Sequence, residues 1–161
     1  MRTYIDRTPE YGLACWPGDI AFDHQELSWE TVRVGSVTMS LHTGTHIDAP
    51  RHLIENSAGV DGIMDDVLSG SVTVVDGRGR TELGPDLFKH IETPRVLIRT
   101  DAWLDNTQFP MTFPLLTLDA AHLLTRLGIV LLGVDVPSVD SVDSKDLPRH
   151  HILMDAGITL C

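Results

Sequence analysis

Three histidines and an aspartate lie close together in LHTGTHIDAPRH, residues 41–52, of a chain that holds eight histidines in 161 residues. They are His42, His46, Asp48 and His52. Neutral imidazoles and carboxylates bind Zn²⁺ or Mn²⁺ at hydrolytic centres and leave coordination positions open for water. The cluster therefore predicts a metal site formed by His42, His46 and Asp48. The alternative is a polar loop in which the histidines are neighbours by chance.

A strand that runs into a tight loop would position these residues. On a straight strand, His42 and Asp48 would lie roughly 20 Å apart at about 3.3 Å per residue, whereas zinc ligands bind at about 2.0–2.2 Å. The chain must therefore curl between them. Gly44 stands where the curl is needed, because glycine accepts either sign of φ. The preceding segment VRVGSVTMSLHTG, residues 32–44, has strand character.

Other titratable side chains have less specific surroundings. His52, which follows a proline, is placed to act as a general acid and base, and the second carboxylate oxygen of Asp48 could bridge to another ion. The pair His150–His151 fits either a ligand role or a surface position. Three isolated histidines are interpreted as structural or solvated: His24, His90 and His122.

Composition excludes several classes of partner. The formal net charge is −11 and no Lys/Arg run occurs, so neither nucleic acid nor an anionic membrane is expected to bind. No apolar run approaches the length of about 20 residues that a membrane span needs. Two distant cysteines and an N-terminus without a signal-peptide pattern predict a reduced, cytoplasmic protein.

The hydrophobic pattern predicts one α/β domain. Short β-branched or leucine-rich runs predict buried strands over 71–77, 95–100 and 128–136. A helix is predicted over 117–128, with Thr117 as its N-cap and Gly128 beyond its end, and a shorter one over 84–91. These two helices would carry His122 and His90. The longer helix has an apolar stripe of Leu118, Ala121, Leu124 and Leu127. Two prolines indicate a loop over 101–116.

Three motifs together resemble the cyclase-like metal hydrolases, a family that includes bacterial kynurenine formamidases and isatin hydrolases. HTGTHIDAPRH resembles the family motif HxGTHxDxPxH. CWPGD, residues 15–19, is similar to its WPGD, and LLGVDVPSVDSVDSKDLPRHH, residues 131–151, to its GxDxPSxD…H segment. The resemblance implies a single domain over residues 1–161 with a compact swivelling β/β/α fold, a mixed sheet and few helices, assembled as a homodimer.

The resemblance also implies one or two Zn²⁺ ions, with Mn²⁺ as an alternative. His42, His46 and Asp48 match the ligands of the first ion, and Asp48 matches the carboxylate that bridges to a second. His150 matches a ligand of the second ion. In the family a glutamate follows that histidine by twelve residues, one position beyond Cys161. We therefore expect the domain to be truncated at its C-terminus.

The implied activity is metal-dependent hydrolysis of a linear amide. The substrate would be N-formyl-L-kynurenine, which gives L-kynurenine and formate in tryptophan degradation. In this resemblance His52 matches the catalytic acid and base, and Trp16 matches an aromatic residue that packs on the substrate ring. Two alternatives stay open: an isatin hydrolase-like enzyme for a cyclic amide or another small amide or ester, and a catalytically inactive metal-binding relative.

Overall fold

The computed structural model describes residues 7–161, which divide into two compact units. The first unit comprises residues 7–46 and Asp105–Phe109, and the second comprises Ile47–Leu104 and Pro110–Cys161. The boundary after His46 falls inside the histidine-rich stretch, so the candidate ligands belong to both units. The organisation of residues 1–161 as one domain stays a prediction.

A β-hairpin is the regular structure of the first unit. Strands β1 (Asp23–Trp29) and β2 (Val32–Thr38) are antiparallel, and their register runs from Asp23 opposite Thr38 to Trp29 opposite Val32. In the tight connection, Glu30 has φ 51°, a left-handed conformation that short hairpin turns favour. The strand predicted before the cluster is thus confirmed over Val32–Thr38.

A parallel sheet lies at the centre of the second unit. This unit contains six strands: β3 (Thr73–Asp76), β4 (Glu82–Leu83), β5 (Arg95–Arg99), β6 (Leu115–Leu116), β7 (Leu131–Val134) and β8 (Thr159–Leu160). Four of them form the sheet in the order β3-β5-β7-β8, with every pair parallel, and β4 pairs with β6 separately. The three predicted strands are confirmed as β3, β5 and β7, but the predicted burial was wrong for β3, an edge strand in which only Val75 is buried. β6 is a two-residue strand within the segment expected to be a loop.

The described residues contain three α-helices, all in the second unit: α1 (Asp65–Leu68), α2 (Leu118–Arg126) and α3 (Pro148–Asp155). None of them is long and apolar enough to cross a membrane. The helix predicted over 117–128 is confirmed as α2, and Gly128 follows it at φ 69°. The second predicted helix is only a 3₁₀ turn, Pro85–Phe88, so the placement of His90 on a helix was wrong. α3 was not predicted.

The core of the second unit joins the sheet to α2 and α3. Its central residues are at most 2% exposed: Val96, Ile98, Leu132, Ala120, Ala121, Leu124 and Leu153. The predicted apolar stripe of α2 was only half right, since Leu118 and Leu127 are 45% and 44% exposed. These two residues flank the helix at its ends, whereas the residues that reach the core lie in its middle.

The N-cap of α2 gives a stability prediction. The Thr117 side chain accepts a hydrogen bond from the backbone N–H of Ala120 at 3.2 Å, which satisfies an otherwise unpaired donor of the first turn. Thr117→Ala should lower the free energy of unfolding by about 1 kcal/mol, measured by urea titration. Thr125→Ala, on the same helix but with its hydroxyl bonded to the His122 carbonyl, is the control and should cost less. Equal costs would contradict the capping role.

Candidate metal centre

The loop that carries His42 and His46 turns sharply at Gly44, which has φ 70°. Thr45 holds this turn against Arg7: its backbone N–H donates to the Arg7 carbonyl at 3.0 Å, and its Oγ1 accepts from the Arg7 N–H at 2.7 Å. A Cβ on residue 44 would lie 2.4 Å from the same carbonyl oxygen. Both the φ angle and the close approach therefore require glycine, and the predicted curl at this position is confirmed.

The two histidines of the loop present their ring nitrogens to each other. His42 Nδ1 and His46 Nε2 lie 3.1 Å apart, and His46 Nδ1 lies 2.9 Å from the carbonyl oxygen of Gly44. A carbonyl oxygen only accepts hydrogen bonds, so His46 Nδ1 must carry the ring proton. In the neutral ring the lone pair is then on Nε2. Two nitrogens on one tetrahedral zinc ion would lie about 3.4 Å apart. The pair fits that requirement closely.

Asp48 follows this pair in the chain and is the second residue of the second unit. Only Ile47 separates it from His46, so chain geometry alone keeps the two Cα atoms within about 7 Å. Its backbone N–H donates to the Leu160 carbonyl at 3.0 Å in an isolated antiparallel bridge. Burial, and then the negative charge of Asp48, raise the pKa of the Cys161 thiol. Asp48 thus brings a carboxylate to the edge of the sheet.

His150 lies on α3 and is 6% exposed, whereas the neighbouring His151 is exposed. Its Nδ1 lies 2.7 Å from Asp140 Oδ2, and its Nε2 lies 4.0 Å from Asp48 Oδ2. The latter separation is longer than the roughly 3.4 Å between two donors on one tetrahedral zinc ion. The structure therefore brings Asp48 and His150 near each other, without the spacing of a bound ion.

Asp140 is a site residue to which the sequence assigned no role. It is fully buried and accepts four hydrogen bonds, from the backbone N–H groups of Arg149 and His150, from Arg149 Nη1 and from His150 Nδ1. Burial opposes its ionisation, but the hydrogen bonds from His150 and Arg149 outweigh that effect and lower the pKa of Asp140 to about 2. The aspartate belongs to the motif VPSVDS, which was the only sequence signal for it.

His52 is the last residue of the 3₁₀ helix Pro50–His52 and is exposed. Its ring centroid lies 6.4 Å from that of His150, with an interplanar angle of 62°. An exposed imidazole beside a buried one can exchange protons with solvent, as an acid and base must. The catalytic role of His52 stays a prediction.

Trp16 lies in the first unit, edge-to-face with Phe109 at a centroid distance of 5.4 Å. The Ala14 N–H donates to the Asn106 carbonyl at 2.8 Å, which holds the segment Asp105–Phe109 beside the WPGD motif. Sequence reasoning missed Phe109, because nothing in a loop sequence indicates a partner so far away in the chain. The role of Trp16 in binding an aryl ring stays a prediction.

Comparison with known proteins identifies the family of this chain. The family model named Cyclase, described as “Putative cyclase”, matches residues 5–141. This chain belongs to the Cyclase family. The resemblance seen in its sequence motifs is thereby confirmed, and the histidine-rich stretch lies inside the matched region.

Curated relatives of this Cyclase family chain are named kynurenine formamidases. The protein from Bacillus thuringiensis subsp. konkukian is 42% identical over 154 residues, which cover 91% of this chain and 73% of the relative. The protein from Geobacillus thermodenitrificans is 38% identical over 169 residues, which cover 98% and 80%.

The fold is shared with a predicted metal-dependent hydrolase from Bacillus stearothermophilus, a solved structure at 25% identity. The TM-score is 0.79, and the match covers 97% of this chain and 79% of the other. The expected α/β class, with few helices, is thus confirmed.

The turn at Gly44 provides a test of the loop geometry. Gly44→Ala should destabilise the protein by more than about 2 kcal/mol, because a left-handed φ alone costs about 1–2 kcal/mol and the new Cβ would also meet the Arg7 carbonyl. Gly12→Ala is the matched control, since Gly12 has φ 81° but open space around a Cβ. Urea unfolding and zinc titration should show a larger loss for Gly44→Ala in both. Equal effects would mean that the close approach to Arg7 is unimportant.

Proposed function

We propose that this chain is a metal-dependent amidohydrolase that converts N-formyl-L-kynurenine and water to L-kynurenine and formate. The observation that carries the proposal is the pair of ring nitrogens of His42 and His46, 3.1 Å apart and followed in the chain by Asp48. The kynurenine formamidase relatives, at 42% and 38% identity, support the choice of substrate.

The donor chemistry fits a zinc ion, with Mn²⁺ as the alternative. His42, His46 and Asp48 offer two imidazole nitrogens and a carboxylate oxygen for a first ion. The backbone carbonyl on His46 Nδ1 is the kind of outer partner that orients a metal-binding histidine. Asp48 and His150 would contribute to a second ion. A bound ion supplies Lewis acidity and lowers the pKa of a coordinated water.

In the proposed reaction, His52 moves the proton. It accepts a proton from the water whose oxygen attacks the formyl carbon, and it returns that proton to the anilinic nitrogen as the carbon–nitrogen bond breaks. The products are the free aryl amine and formic acid, which ionises to formate and releases the second proton of the water to solvent, so atoms and charge balance. Trp16 would pack on the aryl ring of the substrate, and its edge-to-face contact with Phe109 would hold the indole in place.

Metal content and turnover together test this function. Wild-type protein should contain zinc or manganese and hydrolyse formylkynurenine, with formate measured directly. His46→Ala should lose both, while His122→Ala, an exposed histidine on α2, should lose neither. If the protein binds metal and hydrolyses isatin but does not turn over formylkynurenine, the cyclic-amide alternative is favoured. Metal with no amide hydrolysed at all would favour the inactive relative, and full metal occupancy in His46→Ala would contradict the proposed site.

His52→Ala separates proton transfer from metal binding. The variant should retain its metal and lose about 10²–10⁴-fold in kcat, with a smaller change in KM, because proton transfer matters only in the transition state. Elemental analysis and steady-state kinetics measure the two effects. Near-normal turnover, or loss of the metal, would show that the acid/base assignment is wrong.

We further propose that the protein acts as a cytoplasmic homodimer. Dimerisation follows only from the family resemblance, and light scattering of the purified protein tests it. The location rests on the sequence composition.

A further inference from the structure

We propose that Asp140 is a positioning residue that fixes His150 with Nδ1 protonated, so that Nε2 faces Asp48 with its lone pair. The metal-binding consequence rests on the proposed function, whereas the tautomer of His150 can be tested without it. The inference is carried by the way α3 begins and by the separate partners of the two Asp140 oxygens.

The first turn of α3 takes its cap from Asp140. Leu147, at the N-cap position, has φ 40° and provides no side-chain hydrogen bond. Pro148 has no N–H to satisfy, and the next two N–H groups, those of Arg149 and His150, donate to the Asp140 carboxylate at 3.2 and 3.0 Å. A carboxylate from earlier in the chain therefore replaces the local cap. This fixes the helix start relative to Asp140.

One carboxylate oxygen holds His150 at two points. Asp140 Oδ2 accepts from the backbone N–H of His150 at 3.0 Å and faces its Nδ1 at 2.7 Å. Both the main chain and the ring of His150 are therefore tied to one atom, which restricts rotation about χ1 and χ2. The ring is held with Nε2 on the side of Asp48, 4.0 Å from its Oδ2.

The partners of the carboxylate decide the tautomer. A carboxylate surrounded by two backbone N–H groups and a guanidinium, with no exposed surface, acts as an ionised acceptor. The fourth partner, His150 Nδ1, must then carry a proton, and a neutral ring keeps its lone pair on Nε2. A hydrogen bond to the other ring nitrogen is the usual device that orients a metal-binding histidine.

The other carboxylate oxygen belongs to Arg149, which makes a matched control possible. Asp140 Oδ1 accepts from Arg149 Nη1 at 3.0 Å, and Arg149 Nε donates to the Leu116 carbonyl. Arg149→Met removes the guanidinium and leaves both contacts of Oδ2 with His150. Asp140→Asn replaces one acceptor oxygen with an NH₂ group. Because Arg149 presents two N–H donors to Oδ1, the oxygen should stay there and the NH₂ should replace Oδ2. The hydrogen bond from the His150 backbone N–H is then lost, and the His150 ring can accept from the NH₂ only with its own proton on Nε2.

The experiment combines ¹⁵N NMR of histidine-labelled, metal-free protein at mildly alkaline pH with zinc titration against a competing chelator. His150→Gln assigns the ring signals and identifies the binding step that needs His150. We expect the Nδ1–H tautomer in wild type and in Arg149→Met, and the Nε2–H tautomer in Asp140→Asn. Zinc affinity at that step should fall about 10–100-fold in Asp140→Asn and stay near wild type in Arg149→Met.

Several results would overturn the inference. They are an Nε2–H tautomer in wild type, an unchanged tautomer and affinity in Asp140→Asn, or equal losses in Asp140→Asn and Arg149→Met, which would indicate a purely structural network. If Asp140→Asn does not fold, the wild-type and Arg149→Met spectra still decide the tautomer. If wild type binds no zinc, the proposed function fails, and the tautomer in the metal-free spectra still supports or overturns the role of Asp140.

Discussion

The buried carboxylate of Asp140 is the constraint on which much of the second unit depends. A charge removed from water costs several kcal/mol unless it is paired and hydrogen-bonded, and Asp140 has no exposed surface. Its four hydrogen bonds offset that cost, and two of them come from the backbone N–H groups of Arg149 and His150 in the first turn of α3. Asp140 therefore fixes the residue at which α3 begins, and the start of the helix in turn fixes the position of His150.

In the first unit, a contact between residues close in sequence orients a histidine ring in a similar way. Gly44 lets the chain fold back against Arg7, and its carbonyl then engages His46 Nδ1. In His46 and in His150, Nδ1 faces an oxygen acceptor, whereas Nε2 faces His42 in the first case and Asp48 in the second. One acceptor is a backbone carbonyl two residues away in sequence and the other is a buried side chain. Both orient an imidazole by satisfying its second nitrogen.

Geometry and family membership support different parts of the proposed function. The donor types, the spacing of His42 and His46 and the pairing of His150 with Asp140 support the metal-binding part of the proposal on physical grounds. The choice of formylkynurenine rests on the relatives, because a metal centre activates water for many amides and esters alike. In the proposed function the aryl ring of the substrate would pack on Trp16, which contacts Phe109 edge-to-face.

The sequence by itself determined the features that depend on local pattern. Runs of β-branched residues predicted the strands β3, β5 and β7, Thr117 and Gly128 marked the ends of α2, and Gly44 marked the turn that joins His42 to His46. Tertiary structure alone decided that α3 forms, because this helix lacks a local cap. It also decided that His150 is buried, since the sequence fitted either a ligand role or a surface position. It also paired Asp140 with His150 and Trp16 with Phe109. Trp16 and Phe109 lie far apart in the chain, and Asp140 and His150 are ten residues apart, joined by a segment without a regular repeat. No periodicity or spacing specifies which side chain will satisfy a buried donor in either case.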